Sequence, residues 1–385
     1  MNPKRFLLVL ALFALSLTLS FISGYIVHDQ WGPSNSDLPI MQQAKGILER
    51  HALADLPEDP ALEYGMIHGM LDAYGDPYTR FTEPVQAELN SDNLTGSYGG
   101  IGATLSRDED GNILLYPFPE SPAAEAGILD ADRLILVDEM AISPETPMDE
   151  VVAALRGPEG DPVSLTISRP PSFEEHSFRI KREDIPLPSV TWRTAPIDET
   201  LGIIKVNVIA ASTAEEIEIA VADLQSQGAV NFALDLRGNG GGLVDAGVNV
   251  ASLFLDDGEI LQEQYSDKPI ETYEVEEPGP FVDLPLVVLV DGNTASAAEI
   301  VTGALQTRGR APIIGSATFG KDTIQLGFEL QDGSSIHVTA AKWWIPGLDV
   351  AINETGLTPD IQVEPSTENL DTAIQAAIQY FNQGQ

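Results

Sequence analysis

Residues 284–300 read LPLVVLVDGNTASAAEI, an apolar run followed by a polar turn and a second apolar pattern. The uninterrupted run Leu284–Val290 predicts a buried strand, and the apolar spacing over Ala297–Thr307 predicts a helix. Ser296 then falls at the strand-to-helix turn, with its hydroxyl at the helix N-terminus. Free N–H groups at such an end stabilise a developing negative charge, so the turn suits a nucleophile whose reaction forms an oxyanion. A serine that merely caps the helix is the alternative interpretation.

The same alternation of strand and helix continues on both sides of this turn. The predicted strands are Ile203–Val208, Phe232–Leu236, Pro312–Ile314, Thr323–Phe328 and Ile336–Ala341. The predicted helices are Ala214–Gln225, Val244–Leu255 and Asn369–Phe381. Alternation of this kind predicts an α/β core over residues 184–365, followed by a C-terminal helical segment over residues 366–385.

Two further regions precede this core, and a chain of 385 residues is long enough for several domains. Residues 97–183 contain short strands separated by turns, a pattern typical of a small β-rich domain. Residues 36–96 contain apolar residues at helical spacing, which predicts amphipathic helices. We expect these helices to pack as a cap, because no candidate catalytic residue lies on them.

Composition argues against several classes of function. The chain has 20 Lys and Arg residues against 59 Asp and Glu residues, a formal net charge of −39. Such a surface repels a nucleic-acid backbone, so nucleic acid is not expected as a partner. The absence of Cys excludes disulfides, thiolate metal sites and Cys nucleophiles. The five His residues do not lie at metal-ligand spacing and the chain has no Cys, so we do not expect a zinc site.

The N-terminus predicts a membrane segment. Lys4 and Arg5 precede an uncharged run of 22 residues, Phe6–Val27. A helix of that length spans a bilayer core of about 30 Å, and the two positive charges favour a cytoplasmic N-terminus. The run is long for a cleaved signal and lacks a following A-x-A site, so we expect a signal anchor within residues 1–30, with a cleaved signal peptide as the alternative. In both cases the rest of the chain is expected outside the cytoplasm, either anchored to the cell membrane or secreted.

A second candidate for chemistry lies in residues 319–325, FGKDTIQ. Lys321 stands in a glycine turn between apolar strands, where a dry pocket lowers the pKa of an amine from about 10.4 towards neutrality. A neutral lysine can act as a general base, and Gln325, four residues further on, can orient it. An exposed lysine in a turn is the alternative interpretation.

A third candidate lies in residues 234–243, LDLRGNGGGL, where an apolar strand ends in a glycine cluster. Glycines let a backbone N–H group approach a reacting carbonyl oxygen closely. A plain tight turn is the alternative interpretation. A phosphate-binding loop fits less well, because the lysine and the hydroxyl residue of such loops are missing.

Together these three segments resemble the C-terminal processing peptidase (tail-specific protease) family of serine peptidases. The matching motifs are L-D-L-R-x-N-x-G-G-L at 234–243, T-A-S-A-x-E-I at 294–300, F-G-K-x-x-x-Q at 319–325, G-L-T-P-D-I at 356–361 and S-P-A-A-E-A-G at 121–127. Their order and separation agree with the family. The resemblance implies an α/β fold with a crotonase/ClpP-like protease core, an inserted PDZ domain that forms a partly open β-barrel, and an N-terminal helical cap.

The resemblance also implies a role for each candidate residue. Ser296 would be the nucleophile and Lys321, 25 residues further on, the general base. Gln325 would position the lysine. Such a Ser-Lys dyad would require neither a metal ion nor an organic cofactor.

The implied oxyanion hole consists of backbone N–H groups. Ala297 would supply one of them, and the glycine cluster at 240–242 would supply the other, with Gly242 preferred over Gly241. The sequence departs from the family at residues 237–240, which read Arg-Gly-Asn-Gly where relatives often have Arg-Asn-Asn-Pro. This departure makes the loop more flexible.

The β-rich domain resembles the inserted PDZ domain of the family. Its entry, Y-G-G-I-G-A at 98–103, is similar to the loop that binds a peptide's C-terminal carboxylate. The N–H groups of Gly100, Ile101 and Gly102 would receive that carboxylate, and the adjoining strand would accept the peptide by β-augmentation. A simple strand-entry turn is the alternative. Arg156 is expected to couple the PDZ domain to the protease core, with an exposed turn arginine as the alternative.

These expectations combine into one predicted function. The protein is predicted to be an extracytoplasmic serine endopeptidase that cleaves proteins or peptides at or near their free C-termini. Its N-terminal helices and C-terminal tail offer contacts for a homodimer. A catalytically inactive PDZ-type peptide-binding protein is the alternative, although all three of Ser296, Lys321 and Gln325 are present. An acyl-CoA enzyme with a crotonase-type core is a further alternative, against which the membrane segment and the PDZ-like insert argue.

Overall fold

The structure is a computed structural model, and it describes residues 38–57, 60–348, 352–353, 355–364 and 371–383. The chain divides into two units, Met1–Ile67 and His68–Gln385. The predicted membrane segment Phe6–Val27 lies outside the described residues. In the described part of the chain, no helix combines the length and the apolar composition that a membrane span requires.

Within the described residues, helices occur in the regions in which the sequence predicts them. In chain order they are α1 (Pro39–His51), α2 (Ala61–Tyr74), α3 (Pro84–Thr95), α4 (Pro122–Ala126), α5 (Met148–Leu155), α6 (Thr213–Ser226), α7 (Val244–Ser252), α8 (Ala297–Thr307) and α9 (Thr372–Gln383).

The strands of the described residues fall into four sheets. In chain order they are β1 (Arg80–Thr82), β2 (Ser97–Gly100), β3 (Ala103–Arg107), β4 (Ile113–Pro117), β5 (Asp132–Val137), β6 (Met140–Ala141), β7 (Pro162–Arg169), β8 (Glu174–Lys181), β9 (Glu183–Pro186), β10 (Val190–Ala195), β11 (Asp198–Val206), β12 (Asn231–Asp235), β13 (Glu259–Tyr265), β14 (Glu271–Glu274), β15 (Leu286–Val290), β16 (Ile313–Gly315), β17 (Thr323–Glu329), β18 (Ser335–Trp344) and β19 (Ile361–Gln362).

The first unit contains α1 and the beginning of α2. Helix α1 begins at Pro39, where a missing N–H group does no harm because the first turn has no intrahelical acceptor for it. It ends on the basic residues Arg50 and His51, which suit the negative end of the helix dipole. The helices predicted for residues 36–96 are therefore present, and their role as a cap stays a prediction.

A small β-rich domain is inserted near the start of the second unit. Strands β2 and β9 pair antiparallel, with Ser97 opposite Pro186 and Gly100 opposite Glu183, so the insert leaves and rejoins the chain at one place. Within the insert, β3-β4-β5-β7-β8 form an antiparallel sheet, and β6 pairs with β5. Apolar residues of this sheet pack with those of α4 and α5 in a separate hydrophobic core.

The central sheet has the strand order β10-β11-β12-β15-β16-β19 and is parallel except for β10. Alternate residues of β15 point to opposite faces. Leu286, Val288 and Val290 pack with α6, α7 and α8, whereas Val287 and Leu289 pack with α9. Helices thus cover both faces, which explains why this strand is an uninterrupted apolar run. The predicted α/β fold is confirmed.

A second sheet in the core has the order β1-β18-β13-β14, with β17 paired to β18. Ile324 of β17 and Trp343 of β18 are buried in the same core as α7 and α8. The Phe319 N–H donates to the Thr294 carbonyl at 2.9 Å. The loop before β17 therefore lies beside the turn that begins α8, and the two sheets bring the second and first candidate segments together.

Candidate active site

Ser296 lies between the buried strand β15 and helix α8, at a backbone φ of 54° and ψ of −122°. Residues with a side chain rarely adopt a positive φ, and the conformation persists only where the surroundings impose it. Thr294 Oγ1 donates to the Leu236 carbonyl at 2.9 Å, and the Ser296 N–H donates to Glu299 Oε2 at 2.9 Å. These hydrogen bonds fix a sharp strand-to-helix turn of the kind that exposes a nucleophile.

The glycine cluster between β12 and α7 is held by Asn239, which is fully buried. Asn239 Oδ1 accepts the Gly241 N–H at 2.8 Å, and its Nδ2 donates to the Val206 carbonyl at 3.0 Å. The Asn239 carbonyl accepts the Ala295 N–H at 2.9 Å. One side chain thus fixes the loop to the central sheet, and its backbone fixes the loop to the Ser296 turn.

The glycines bring backbone N–H groups next to Ser296. A Cβ atom at Gly241 would lie 2.9 Å from Ser296 Cβ and 3.1 Å from the Ala297 nitrogen, so a side chain does not fit there. The Gly241 N–H is occupied by Asn239 and is not free for an oxyanion in this conformation. Among the described residues, the N–H groups of Gly242 and Ala297 find no hydrogen-bond acceptor. These two groups are therefore available to bind a negative charge.

Lys321 is partly buried in the loop before β17, and its Nζ donates a hydrogen bond to Gln325 Oε1. Gln325 Nε2 donates to Thr323 Oγ1 at 3.1 Å and to Thr339 Oγ1 at 3.4 Å. These two contacts orient the amide so that its oxygen faces the lysine. The Nζ atom also lies 5.4 Å from the centre of the Tyr78 ring. The structure thus pairs the two residues that the sequence singled out in this segment.

Burial lowers the pKa of Lys321 from its usual value, and the positive charge of Arg80 lowers it further. The negative charges of Glu299 and Asp76 oppose this shift. A lowered pKa gives a larger neutral fraction of the amine at a given pH than an exposed lysine has. Within the described part of the chain, no hydrogen bond joins Lys321 Nζ to Ser296 Oγ.

Glu299 is a residue of this site to which the sequence analysis assigned no role. It lies in the first turn of α8 and is fully buried. Burial raises the pKa of its carboxyl group, while hydrogen bonds from Thr318, Lys321, Gly320 and Ser296 act in the opposite direction. A glutamate three residues after a serine at a helix start is the sequence signal of a capping box, and that signal could have identified this position.

His337 of β18 is a histidine whose pKa responds to the charge of Lys321. Burial lowers the pKa of His337, and the charges of Arg80 and Lys321 lower it further. Its Nε2 lies within hydrogen-bond distance of Ser335 Oγ, at 3.2 Å.

Across the described ranges, no group of three or more His, Asp or Glu side chains could hold a metal ion. The expectation of a reaction without a metal or an organic cofactor stays a prediction.

The predicted carboxylate-binding loop lies at the entry of the β-rich domain. Gly102 has a φ of 68°, and a Cβ atom there would lie 2.6 Å from Ser121 Cβ. The Ile101 carbonyl accepts a hydrogen bond from the Ala123 N–H, and the Gly102 carbonyl accepts one from the Phe118 N–H, both at 2.9 Å. The N–H groups of Ile101 and Gly102 themselves donate to no other residue in the described part of the chain. A peptide carboxylate would meet unused donors at this loop.

Arg156 follows the last residue of α5 and contacts two elements at the base of the insert. Its guanidinium donates to the Asp92 carboxylate of α3 at 2.5 Å and lies 4.2 Å from the centre of the Tyr98 ring. A Cβ atom at Gly100 would lie 2.4 Å from the edge of that ring, so Tyr98 packs directly against Gly100. Arg156 therefore links α5 to α3 and to the strand that leads into the predicted carboxylate-binding loop.

Comparison with known proteins agrees with the motifs. The profile of Peptidase family S41 matches residues 200–363, and that of a PDZ domain matches residues 117–169. The carboxyl-terminal-processing protease of Picosynechococcus sp. is 36% identical over 332 residues, which cover 84% of this chain and 80% of that protein. The carboxy-terminal processing protease CtpA of Bacillus subtilis is 35% identical over 309 residues, which cover 80% of this chain and 65% of that protein.

A solved structure is also similar to the chain. The photosystem II D1 C-terminal processing protease has 30% sequence identity and a TM-score of 0.46, and the match covers 88% of this chain and 90% of that chain. More than a third of the residues are identical to the Picosynechococcus protein over more than four fifths of this chain. The chain therefore belongs to peptidase family S41, among the carboxyl-terminal processing proteases, and is a serine peptidase with a PDZ domain.

Proposed function

We propose that the protein is an endopeptidase that cleaves extracytoplasmic proteins at or near their C-termini, with Ser296 as nucleophile and Lys321 as general base. The observation that carries this proposal is the Ser296 turn, at φ 54°, beside the N–H groups of Gly242 and Ala297, for which the described residues offer no acceptor. A strained serine next to two free backbone donors suits attack on a carbonyl followed by oxyanion binding. The lowered pKa of Lys321 supports its role as the base.

The proposed reaction forms an acyl-enzyme. Neutral Lys321 keeps one N–H bonded to Gln325 Oε1, so its lone pair is free to take the proton of Ser296 Oγ. The oxygen attacks the scissile carbonyl, and the N–H groups of Gly242 and Ala297 stabilise the oxyanion, at about 3 kcal/mol or more per donor in other enzymes. Protonated Lys321 then gives its proton to the leaving amine. The neutral lysine formed in this way activates the water that hydrolyses the acyl-enzyme.

The PDZ domain is proposed to select the substrate by its C-terminus. The unused N–H groups of Ile101 and Gly102 support binding of a carboxylate, and Gly100 lies directly before them. Arg156 is proposed to couple this loop to the protease core through α3, because it contacts both Asp92 of α3 and the Tyr98 ring. The Leu94 carbonyl of α3 in turn accepts the N–H of Ala211 in the core at 3.0 Å. An inactive peptide-binding protein is not favoured, since the chain belongs to a family of serine peptidases.

Several parts of the predicted function concern the cellular context. The segment predicted as a signal anchor lies outside the described residues, so the membrane anchor and the extracytoplasmic location stay predictions. A homodimer also stays a prediction. The acyl-CoA alternative is set aside, because the chain belongs to a family of peptidases.

The pH dependence of cleavage tests the proposed base. Because only neutral Lys321 can accept the proton, kcat/KM should rise with pH through the pKa of this lysine. Burial and Arg80 lower that pKa, so the half-maximal pH should lie below the 10.5 of an unperturbed lysine. The measurement is kcat/KM for an internally quenched peptide across the alkaline range. An acid limb near pH 4, as a carboxylate base would give, contradicts this assignment.

Matched peptides test the proposed recognition of the C-terminus. A substrate with a free carboxylate should be cleaved faster than its C-terminal amide, because the amide lacks the charge that the N–H groups of Ile101 and Gly102 would bind. We expect a difference of about tenfold or more, from the loss of a charge-assisted contact. Rates are compared at one pH and one peptide concentration below KM. Equal rates would remove the recognition model and leave the dyad untouched.

A further inference from the structure

The carboxylate of Glu299 receives hydrogen bonds from two separate segments of the chain. Its Oε2 accepts the N–H of Ser296 at 2.9 Å and the N–H of Lys321 at 3.0 Å. Its Oε1 accepts hydrogen bonds from the N–H of Gly320 at 2.7 Å and from the hydroxyl of Thr318 at 2.6 Å. A buried carboxylate is costly unless its oxygens are bonded in this way. Here the donors come from the turn that begins α8 and from the loop before β17.

We propose that Glu299 is a positioning residue for the peptidase reaction, because one carboxylate oxygen holds the nucleophile's backbone and the base's backbone at a fixed separation. The inference rests on the proposed function, in which Ser296 and Lys321 are the reacting pair. Since Oε2 binds both N–H groups, moving one segment away from the other must stretch or break one of these bonds. A misplacement of about 1 Å in a reacting group can lower a rate by about 100-fold.

Both segments depend on outside contacts for their conformation. Ser296 has a φ of 54°, a strained backbone conformation that persists only where surrounding contacts hold it. The loop before β17 has no regular secondary structure, and its Gly320 has a φ of 89°. A further direct link between the two is the hydrogen bond from the Phe319 N–H to the Thr294 carbonyl, at 2.9 Å. Without the carboxylate, that bond would remain as a direct hydrogen bond between the two segments.

Glu299 also acts on Lys321 through its charge. The carboxylate raises the pKa of Lys321, against burial and a nearby positive charge, which lower it. Replacing Glu299 by glutamine keeps the side-chain length, removes the charge and turns one of the two accepting oxygens into an NH₂ group that cannot accept. Without the negative charge, the pKa of Lys321 should fall further. The other ionisable groups that face Lys321 are Asp76, Tyr78, Arg80 and His337. These groups stay in place in the variant, so a change in the pH profile would report on Glu299 itself.

The test compares two substitutions of Glu299 with a matched control in the full-length protein. Glu299→Gln removes the charge, and Glu299→Asp keeps the charge but shortens the side chain. Glu216→Gln is the control, because Glu216 also lies in the first turn of a helix and accepts the Val190 N–H at 2.9 Å and the Ser212 hydroxyl at 2.6 Å. The measurements are kcat, KM, the pH profile of kcat/KM and the melting temperature.

We expect Glu299→Gln to lower kcat by at least about tenfold with little change in KM, and to move the acid limb to lower pH. Glu299→Asp should lower kcat while leaving the limb at the wild-type pH, and the control should stay within about twofold of wild type. If Glu299→Gln does not fold, Glu299→Asp decides alone: a wild-type kcat overturns the proposal. A lower kcat in Glu299→Gln that comes with a matching rise in KM, or with a fall in melting temperature large enough to unfold the protein in the assay, also overturns it, because a merely structural role gives that result.

A failure of the positioning role of Glu299 can be distinguished from a failure of the proposed function by also measuring Ser296→Ala. If Ser296→Ala were fully active, the reacting pair would be wrong whatever Glu299 does. If Ser296→Ala is inactive but Glu299→Gln matches the control in every measurement, the pair stands and the positioning role is overturned.

Discussion

Replacing Ser296 by alanine is expected to lower kcat/KM by about 10⁴-fold or more, while the protein stays folded. The substitution removes the attacking oxygen, and the oxyanion donors alone cannot form an acyl-enzyme. The alanine keeps the Cβ atom and the N–H that bonds to Glu299, so the turn should be retained. The measurement is cleavage of an unfolded protein with a free C-terminus, together with a thermal melt by circular dichroism.

The control for this variant is Ser226→Ala, which removes an exposed hydroxyl at the end of α6 that bonds only within its own helix turn. Its activity should stay within about twofold of wild type, as for most surface substitutions. Residual activity of Ser296→Ala above about a tenth of the wild-type rate cannot be reconciled with a single serine nucleophile. That result would require a different nucleophile.

Replacing Lys321 by methionine is expected to lower kcat/KM by about 10²- to 10⁴-fold, the range that a general base contributes. Lys321→Arg should be equally inactive, because a guanidinium group stays protonated and cannot accept the serine proton. Stability should not fall in the methionine variant, since burial disfavours the charged amine at this position. Initial rates and melting temperatures measured for both variants at the optimal pH check this expectation.

The matched control for the lysine is Lys342→Met, which changes an exposed lysine on β18. It lies opposite Thr323 in the same hairpin, so it reports on any general effect of charge loss in this sheet. We expect wild-type activity from it. Substantial cleavage by Lys321→Arg would show that the base is another group.

Much of the core was predictable because its local patterns agree with its packing. The apolar run Leu284–Val290 predicts a buried strand, and helices cover both faces of that strand. The sequence places Ser296 at a strand-to-helix turn and pairs Lys321 with Gln325 four residues away, and the structure has both features. These are short-range relations, which a period or a spacing in the sequence can express.

Other features could not be read from the sequence because they depend on contacts distant along the chain. The pairing of Ser97 with Pro186 closes the insert, and no local pattern sets that register. Which glycine N–H is free depends on the orientation of the Asn239 side chain. In the structure, Asn239 Oδ1 accepts the hydrogen bond of the Gly241 N–H. The link from Glu299 to Lys321 joins two elements whose proximity only the folded sheets create.

The central claim, that Ser296 is acylated with the help of Lys321, is tested most directly by locating a covalent acyl adduct. A peptidyl β-lactone, which acylates nucleophilic hydroxyls, is incubated with the wild type, Ser296→Ala and Lys321→Met, and the labelled peptide is identified by mass spectrometry. We predict one acyl group on Ser296 in the wild type, none in Ser296→Ala, and labelling at least about 100-fold slower in Lys321→Met. Label on a different residue of the wild type, or equal labelling rates with and without Lys321, would contradict the account.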